Sequence, residues 1–240
     1  RSWFPSLLEL ACSNAKMYAA ADLARPTMSW VPFAYSLGFI EAAAKDESLH
    51  ARLLDAGFLM DALEYACLFD FTVTGMNIVS YGAGAAVGLV GRNEGGKTLS
   101  SKAVVAIVER LRTYFQEDSM FFHSQPKSIL NNLQRVATMA ISDANKVLML
   151  QCDGLVDTLV QCLLLGSSNR RRAQDGGDEL QETAAGTLHE LSLFAPWTKT
   201  LRAHSGAMAS LRELLDVGTK SATESAAAAL FELDDQARAA

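Results

Sequence analysis

Proline is scarce in this chain: five occur in 240 residues, so few points force a helix to break. Histidine is scarcer still, at four. None stands in an HExxH or a Cys/His spacing that would ligate zinc, so a metal centre is not expected. The four cysteines, Cys12, Cys67, Cys152 and Cys162, contain no CxxC pair. Three of them sit in apolar helical stretches, where a thiol packs as a small core residue. A reducing intracellular compartment, cytoplasmic or nuclear, is therefore expected. Positive charge is in deficit: 21 Lys and Arg face 27 Asp and Glu, a net charge of −6. That argues against nucleic-acid binding, which needs a basic footprint. No GxSxG elbow is present, and β-branched runs that would build a sheet are missing. No cofactor is implied. The uncharged stretch from Phe71 to Gly91 is long enough to cross a bilayer. Thr72, Thr74, Asn77, Ser80 and Tyr81 interrupt it, so a loop followed by a buried helix is expected, with a membrane-anchored helical protein as the remote alternative. The chain opens on Arg1, as a segment of a longer protein would.

What the sequence does have is apolar material and helix formers. Half its residues are hydrophobic, and Ala, Leu, Glu, Lys and Gln raise the summed helix propensity. It also repeats. ETAAGTLHEL at 182–191 returns as ESAAAALFEL at 224–233, 42 residues on. LQRVATMAI at 133–141 echoes LQETAAGTL at 180–188 at a spacing of 47. An Ala-x-x-x-Leu/Ile helix thus recurs at Ala85/Leu89, Ala137/Ile141, Ala184/Leu188 and Ala226/Leu230. Each small residue lets a neighbouring helix approach, and the large one a turn later fills the space beyond. A second, Leu-rich helix is expected from Gly57, Lys102, Gly154 and Gly206. Its fifth following residues are Ala62, Ile107, Leu159 and Leu211, and its ninth are Ala66, Leu111, Leu163 and Leu215. That i, i+4 spacing is the buried stripe of an amphipathic helix.

These segments, with IEAAAKDESLHARLLDAGFLMDAL at 40–63 and AAGTLHELSLFAPWTKTLRAHSGAMASLRELL at 184–215, resemble the armadillo/HEAT-like helical repeat superfamily. The resemblance covers roughly residues 33–240. It implies an all-α solenoid of stacked repeats, a single domain over 1–240 that works as a protein-binding scaffold and not an enzyme. Residues 1–32 would be an N-terminal cap, with the chain breaking at Pro26 and Pro32, and 166–179 an inserted polar loop. In such families a groove lined by the long third helices holds an extended peptide or a partner helix. With the Leu-rich helix taken as that third helix, Asp61, Glu64, Glu109, Gln161 and Glu213 point away from its buried stripe. They become the expected partner-binding residues. A ladder of carboxylates would favour a basic peptide or helix.

One motif argues for a different class. GRNEGGKT at 91–98 matches the phosphate-cradling GxxxxGK[ST], with Gly91, Gly96, Lys97 and Thr98 in the binding positions. A P-loop nucleotide-binding protein would need AAVGLV (85–90) as the preceding strand. Against it, Ala85/Leu89 fall in helical register, and KTLSS at 97–101 parallels KTLRA at 199–203. The histidines His50 and His189 lie in helical segments, where a lone imidazole is a surface or packing residue.

Overall fold

A computed structural model describes residues 9–15, 31–56, 59–67, 73–91, 98–116, 126–166 and 169–238. Among them every regular element is a helix and no strand occurs. Two compact units divide the chain, residues 1–106 and 107–240.

In the first unit, residues 9–15 are helical and bury Ala11, Cys12 and Ala15. Helix α1 (Val31–Ala43) follows. Pro32 stands in its first turn, where a missing N–H removes no helical hydrogen bond, so the expected break at this proline is instead a helix start. Pro26 and Trp30 lie outside the described residues. A 3-10 turn (Glu47–Leu49) and α2 (His50–Leu54) come next. Asp46 caps the turn by accepting from Ser48 N at 3.0 Å, and His50 Nε2 donates to the Ala44 carbonyl at 2.8 Å. Helix α3 (Leu59–Cys67) and α4 (Val73–Val90) complete the set, and α4 packs on both α1 and α3. The closeness of these helices depends on missing side chains: a Cβ on Gly82 would come within 2.4 Å of Ala66 Cβ. No helix among the described residues is long and apolar enough to cross a membrane.

The second unit shows the repeat most clearly. Helix α5 (Ser101–Gln116) leads into it and α6 (Pro126–Met139) follows. Two three-helix repeats then run α7 (Asp143–Met149), α8 (Leu155–Cys162), α9 (Gly177–Ser192), and α10 (Ala195–Ala203), α11 (Ser205–Val217), α12 (Lys220–Arg238). Like packs on like: α8 on α11, and α9 on both α6 and α12. The first helices meet through Trp197, which is buried and donates its indole N–H to the Lys146 carbonyl at 2.8 Å. Gly154 (φ 73°) and Gly176 (φ 85°) sit in the left-handed region just before α8 and α9, where a Cβ is strained. Gly206 has no such role: α11 begins a residue earlier, capped by His204 Nδ1, which accepts from Ala207 N at 3.1 Å.

The buried stripe of the Leu-rich helices is present at Ala62, Ile107, Leu159 and Leu211 and again at Ala66, Leu111 and Leu163. Leu215 breaks it at 41% exposed, because α11 buries Leu214 instead. The Ala/Leu helices bury Ala85, Leu89, Ala184, Leu188 and Ala226, while Leu230 is half-buried. Ala137/Ile141 is a misalignment. Ile141 lies beyond the end of α6 and is 48% exposed. The residues buried on α6 include Ile129, Leu130, Asn132, Leu133, Val136 and Met139, and all but Leu130 match buried residues, Gln181, Ala184, Ala185, Leu188 and Leu191, at a spacing of 52. The five-residue error rotates the helix by about 140° at 100° per residue.

The polar segment before α9 is pinned at several points. Arg171 lies 4.4 Å over the Phe115 ring and donates to the Phe115 carbonyl at 2.9 Å. Arg172 pairs with Asp178 at 3.0 Å. Residues 177–179, expected in the loop, form the first turn of α9, and Ser167 and Ser168 lie outside the described residues.

A candidate partner-binding cleft on the third helices

Order and length identify which helix is third. In the two complete repeats α9 and α12 close the unit, and they are longer than α8 and α11, the second helices. The Ala/Leu segments are therefore the third helices, and the Leu-rich segments are the second.

A surface cleft of about 680 Å³ crosses α6, α9 and α12. Gln134, Ala137 and Thr138 line it from α6, with Ile141 just past the helix end. Thr183, Gly186, Thr187, His189 and Glu190 line it from α9, and Ser225 from α12. The hydroxyls are held in fixed directions: Thr138 Oγ1 donates to the Gln134 carbonyl at 2.9 Å, Thr183 Oγ1 to that of Glu179 at 2.7 Å, and Thr187 Oγ1 to that of Thr183 at 2.7 Å. Gly186 is interior to α9 with no positive φ, and a Cβ built on it meets nothing within 4 Å. The glycine is thus demanded neither by backbone geometry nor by packing within the chain.

The walls of the cleft are braced from behind. Gln181 is 1% exposed and bridges three elements: its Nε2 donates to the Leu163 carbonyl at 2.7 Å and its Oε1 accepts from Thr219 N at 3.0 Å. That ties the end of α8 and the entry to α12 to the second turn of α9. Arg202 on α10 donates to the Leu233 carbonyl of α12.

The residues expected to bind a partner lie elsewhere, all on second helices. Asp61 is exposed on α3. Glu64 is half-buried, and its carboxylate accepts from Ser100 N at 2.8 Å at the entry to α5. Glu109 pairs with Arg112 one turn along α5. Gln161 on α8 and Glu213 on α11 are exposed. None of the five lines the cleft. The sequence does not single out the cleft residues, because by composition alone the Leu-rich helix reads as the third. The usable signal was the shortness of the Leu-rich segment in α8 against the long uninterrupted helix of α9.

The nucleotide-binding reading required a strand before its glycine-rich loop. AAVGLV is instead the last turns of α4. Gly91 closes that helix by donating to the Val87 carbonyl at 2.8 Å, and a Cβ there would come within 2.5 Å of that oxygen. Thr98 is exposed and non-helical, unlike Thr200 on α10, so the KTLSS/KTLRA likeness does not extend to structure. Gly96 and Lys97 lie outside the described residues, as does His123. Among the described residues no three His, Cys, Asp or Glu gather to hold a metal ion. Burial pushes the Cys152 thiol up to about 11, helped by the Glu109 and Asp153 carboxylates. It raises Cys12 and Cys162 as well. These thiols are packing groups and poor nucleophiles.

Likeness to a solved structure agrees with the all-helical fold. An engineered protein of known crystal structure superposes with a TM-score of 0.53 at 15% identity, covering 95% of this chain and 96% of its own. The fold is of the armadillo/HEAT-like helical-repeat type. A designed armadillo repeat protein also aligns, at a TM-score of 0.49 and 14% identity, over 94% of this chain and 99% of its own. No family model matches the sequence, and no curated protein matches it significantly.

Proposed function

We propose that this chain is an interaction scaffold, and that it holds a segment of another protein across the third helices α6, α9 and α12. The observation that supports this most is the cleft itself. Three successive third helices are packed side by side yet leave about 680 Å³ open between them, within the range of sites that bury a ligand. The armadillo-like fold commonly mediates protein interaction, which agrees. The acidic side chains on the second helices, Asp61 and Glu213 above all, would steer a Lys- or Arg-rich partner toward the protein at low salt. Gln161 adds an exposed amide on α8, whereas Glu64 and Glu109 are engaged by Ser100 N and Arg112. The buried thiols suit a reducing intracellular setting.

The test compares two variants of the immobilised chain in extract of the source cell, with captured proteins quantified by mass spectrometry. Thr183→Arg blocks the cleft, and Gln161→Lys/Glu213→Lys reverses the second-helix surface. The reading requires a defined set of proteins lost with Thr183→Arg and retained, though reduced at low salt, with the double variant. A set that survives Thr183→Arg unchanged overturns it.

A further inference from the structure

One imidazole in the second unit makes two contacts that only its neutral form can make together. His204 closes α10 and opens α11, and its side chain is 28% exposed. Its Nδ1 accepts from Ala207 N at 3.1 Å, and its Nε2 lies 3.0 Å from Asp157 Oδ1 on α8. An ionised carboxylate only accepts, so Nε2 carries the proton and Nδ1 the lone pair. The two contacts thus fix one neutral tautomer. A second proton, on Nδ1, would point at the Ala207 N–H, donor against donor. The Nε2 bond to Asp157 would meanwhile become an ion pair. The charged ring cannot keep both contacts. Asp157 belongs to the preceding repeat, so the choice lies between capping its own helix and tying two repeats together.

We propose that His204 is a pH-sensitive switch: on acidification its ring releases the Ala207 amide and holds Asp157, so α11 loses its cap while the tie to α8 tightens. The contact to Asp157 survives because a charge-assisted hydrogen bond is roughly twice as strong as a neutral one. The surrounding charges are arranged for that exchange. α8 presents Asp157 in its first turn, and the exposed Asp153 stands just before the helix. The first turn of α11 holds no charged side chain, and Arg212 and Glu213 lie farther along it. On α10, Arg202 is engaged by the Leu233 carbonyl, and Lys199 is exposed a turn earlier. From α12, which packs on both α10 and α11, Lys220 reaches Glu224 at 4.0 Å, with Glu232 and Asp234 farther along. Of these charged groups, Asp157 is the one in contact with the ring.

Nuclear magnetic resonance of the isotopically labelled full chain tests it, between about pH 8 and about pH 5. Amide exchange is read as protection, corrected for the intrinsic pH dependence of exchange. At the upper end the ring nitrogen signals of His204 should show a lone pair on Nδ1 and a proton on Nε2. On acidification Nδ1 should take up a proton, and the Ala207 amide should lose roughly fivefold in protection along the same curve. The Leu211 amide, in the middle of α11, should not follow it. His204→Asn keeps a capping oxygen and removes the titrating ring, so its Ala207 amide should stay protected throughout. Asp157→Asn still offers an oxygen to Nε2 but no charge, so the Ala207 transition should move to lower pH. Should His204→Asn fail to fold, the wild-type titration decides alone, because the ring and the amide are read from one sample. An Nδ1 already protonated at the upper end, Ala207 protection that ignores the His204 titration, or a wild-type pH profile in His204→Asn would each overturn the switch. An unmoved transition in Asp157→Asn would overturn the exchange of the cap for Asp157.

Discussion

Replacing Gln181 by leucine should loosen the wall on which the cleft depends, and its cost can be worked from two hydrogen bonds and the burial of the new side chain. The side chain is 1% exposed, so water does not replace what is lost. Its donor to the Leu163 carbonyl, at 2.7 Å, leaves a buried oxygen short of a partner, worth about 2 kcal/mol. Its acceptor for Thr219 N, at 3.0 Å, leaves an N–H that is only half-buried, so about 1 kcal/mol is appropriate. Leucine has similar volume and returns about 1 kcal/mol of apolar transfer. The net loss should be about 2 kcal/mol. Guanidinium unfolding followed by far-ultraviolet circular dichroism measures it as a lower midpoint at unchanged slope. Hydrogen exchange locates it: amides of residues 219–223, where α12 begins, should exchange faster by roughly the same free energy. A loss under about 0.5 kcal/mol, the range of an ordinary surface change, would refute the claim that Gln181 braces these helices.

Other consequences follow from single contacts. Trp197→Phe removes the indole donor to the Lys146 carbonyl and leaves a gap between first helices, so stability should fall by about 2 kcal/mol in the same titration. Gly186→Ala should raise stability by about 0.5–1 kcal/mol, because nothing opposes the added methyl and the helix gains; a lower melting temperature would show a contact that the cleft geometry lacks. Glu64→Ala should cost about 1 kcal/mol by leaving the Ser100 N–H at the entry to α5 without its acceptor, which separates a structural role for this carboxylate from partner recruitment. With the Cys152 thiol raised to about 11, only about 0.1% of it is thiolate at pH 8. Ellman's reagent should therefore leave Cys12, Cys152 and Cys162 almost untouched in the native protein and label them after denaturation.

The fold was legible because helical periodicity and the 42-residue repeat record burial directly. Ala184, Leu188 and Ala226 are buried where the pattern placed them. The α6 register was not legible, because a small residue followed by a larger one is common in any Ala-rich helix. Ala137/Ile141 satisfied that pattern on the wrong side, and only the burial of Asn132 and Val136 reveals the spacing of 52. The site was harder to see. Carboxylates facing away from a buried stripe are visible in sequence, yet that geometry does not say whether they face a groove, an ion pair or a helix entry. Glu64 meets Ser100 N and Glu109 meets Arg112. Gly186 was hidden for a related reason: a glycine's significance lies in the atoms that are absent around it, and those come from α6 and α12.

On the proposed function, partners meet the third helices and not the second. Photo-crosslinking tests it most directly, with p-benzoylphenylalanine placed at Thr183 on α9 in one variant and at Glu213 on α11 in another. Incubated with extract of the source cell, the Thr183 variant should crosslink to a discrete protein that excess unlabelled wild-type chain competes away, and the Glu213 variant should not. A discrete, competed crosslink from Glu213 with none from Thr183 would contradict the account and return the binding face to the second helices.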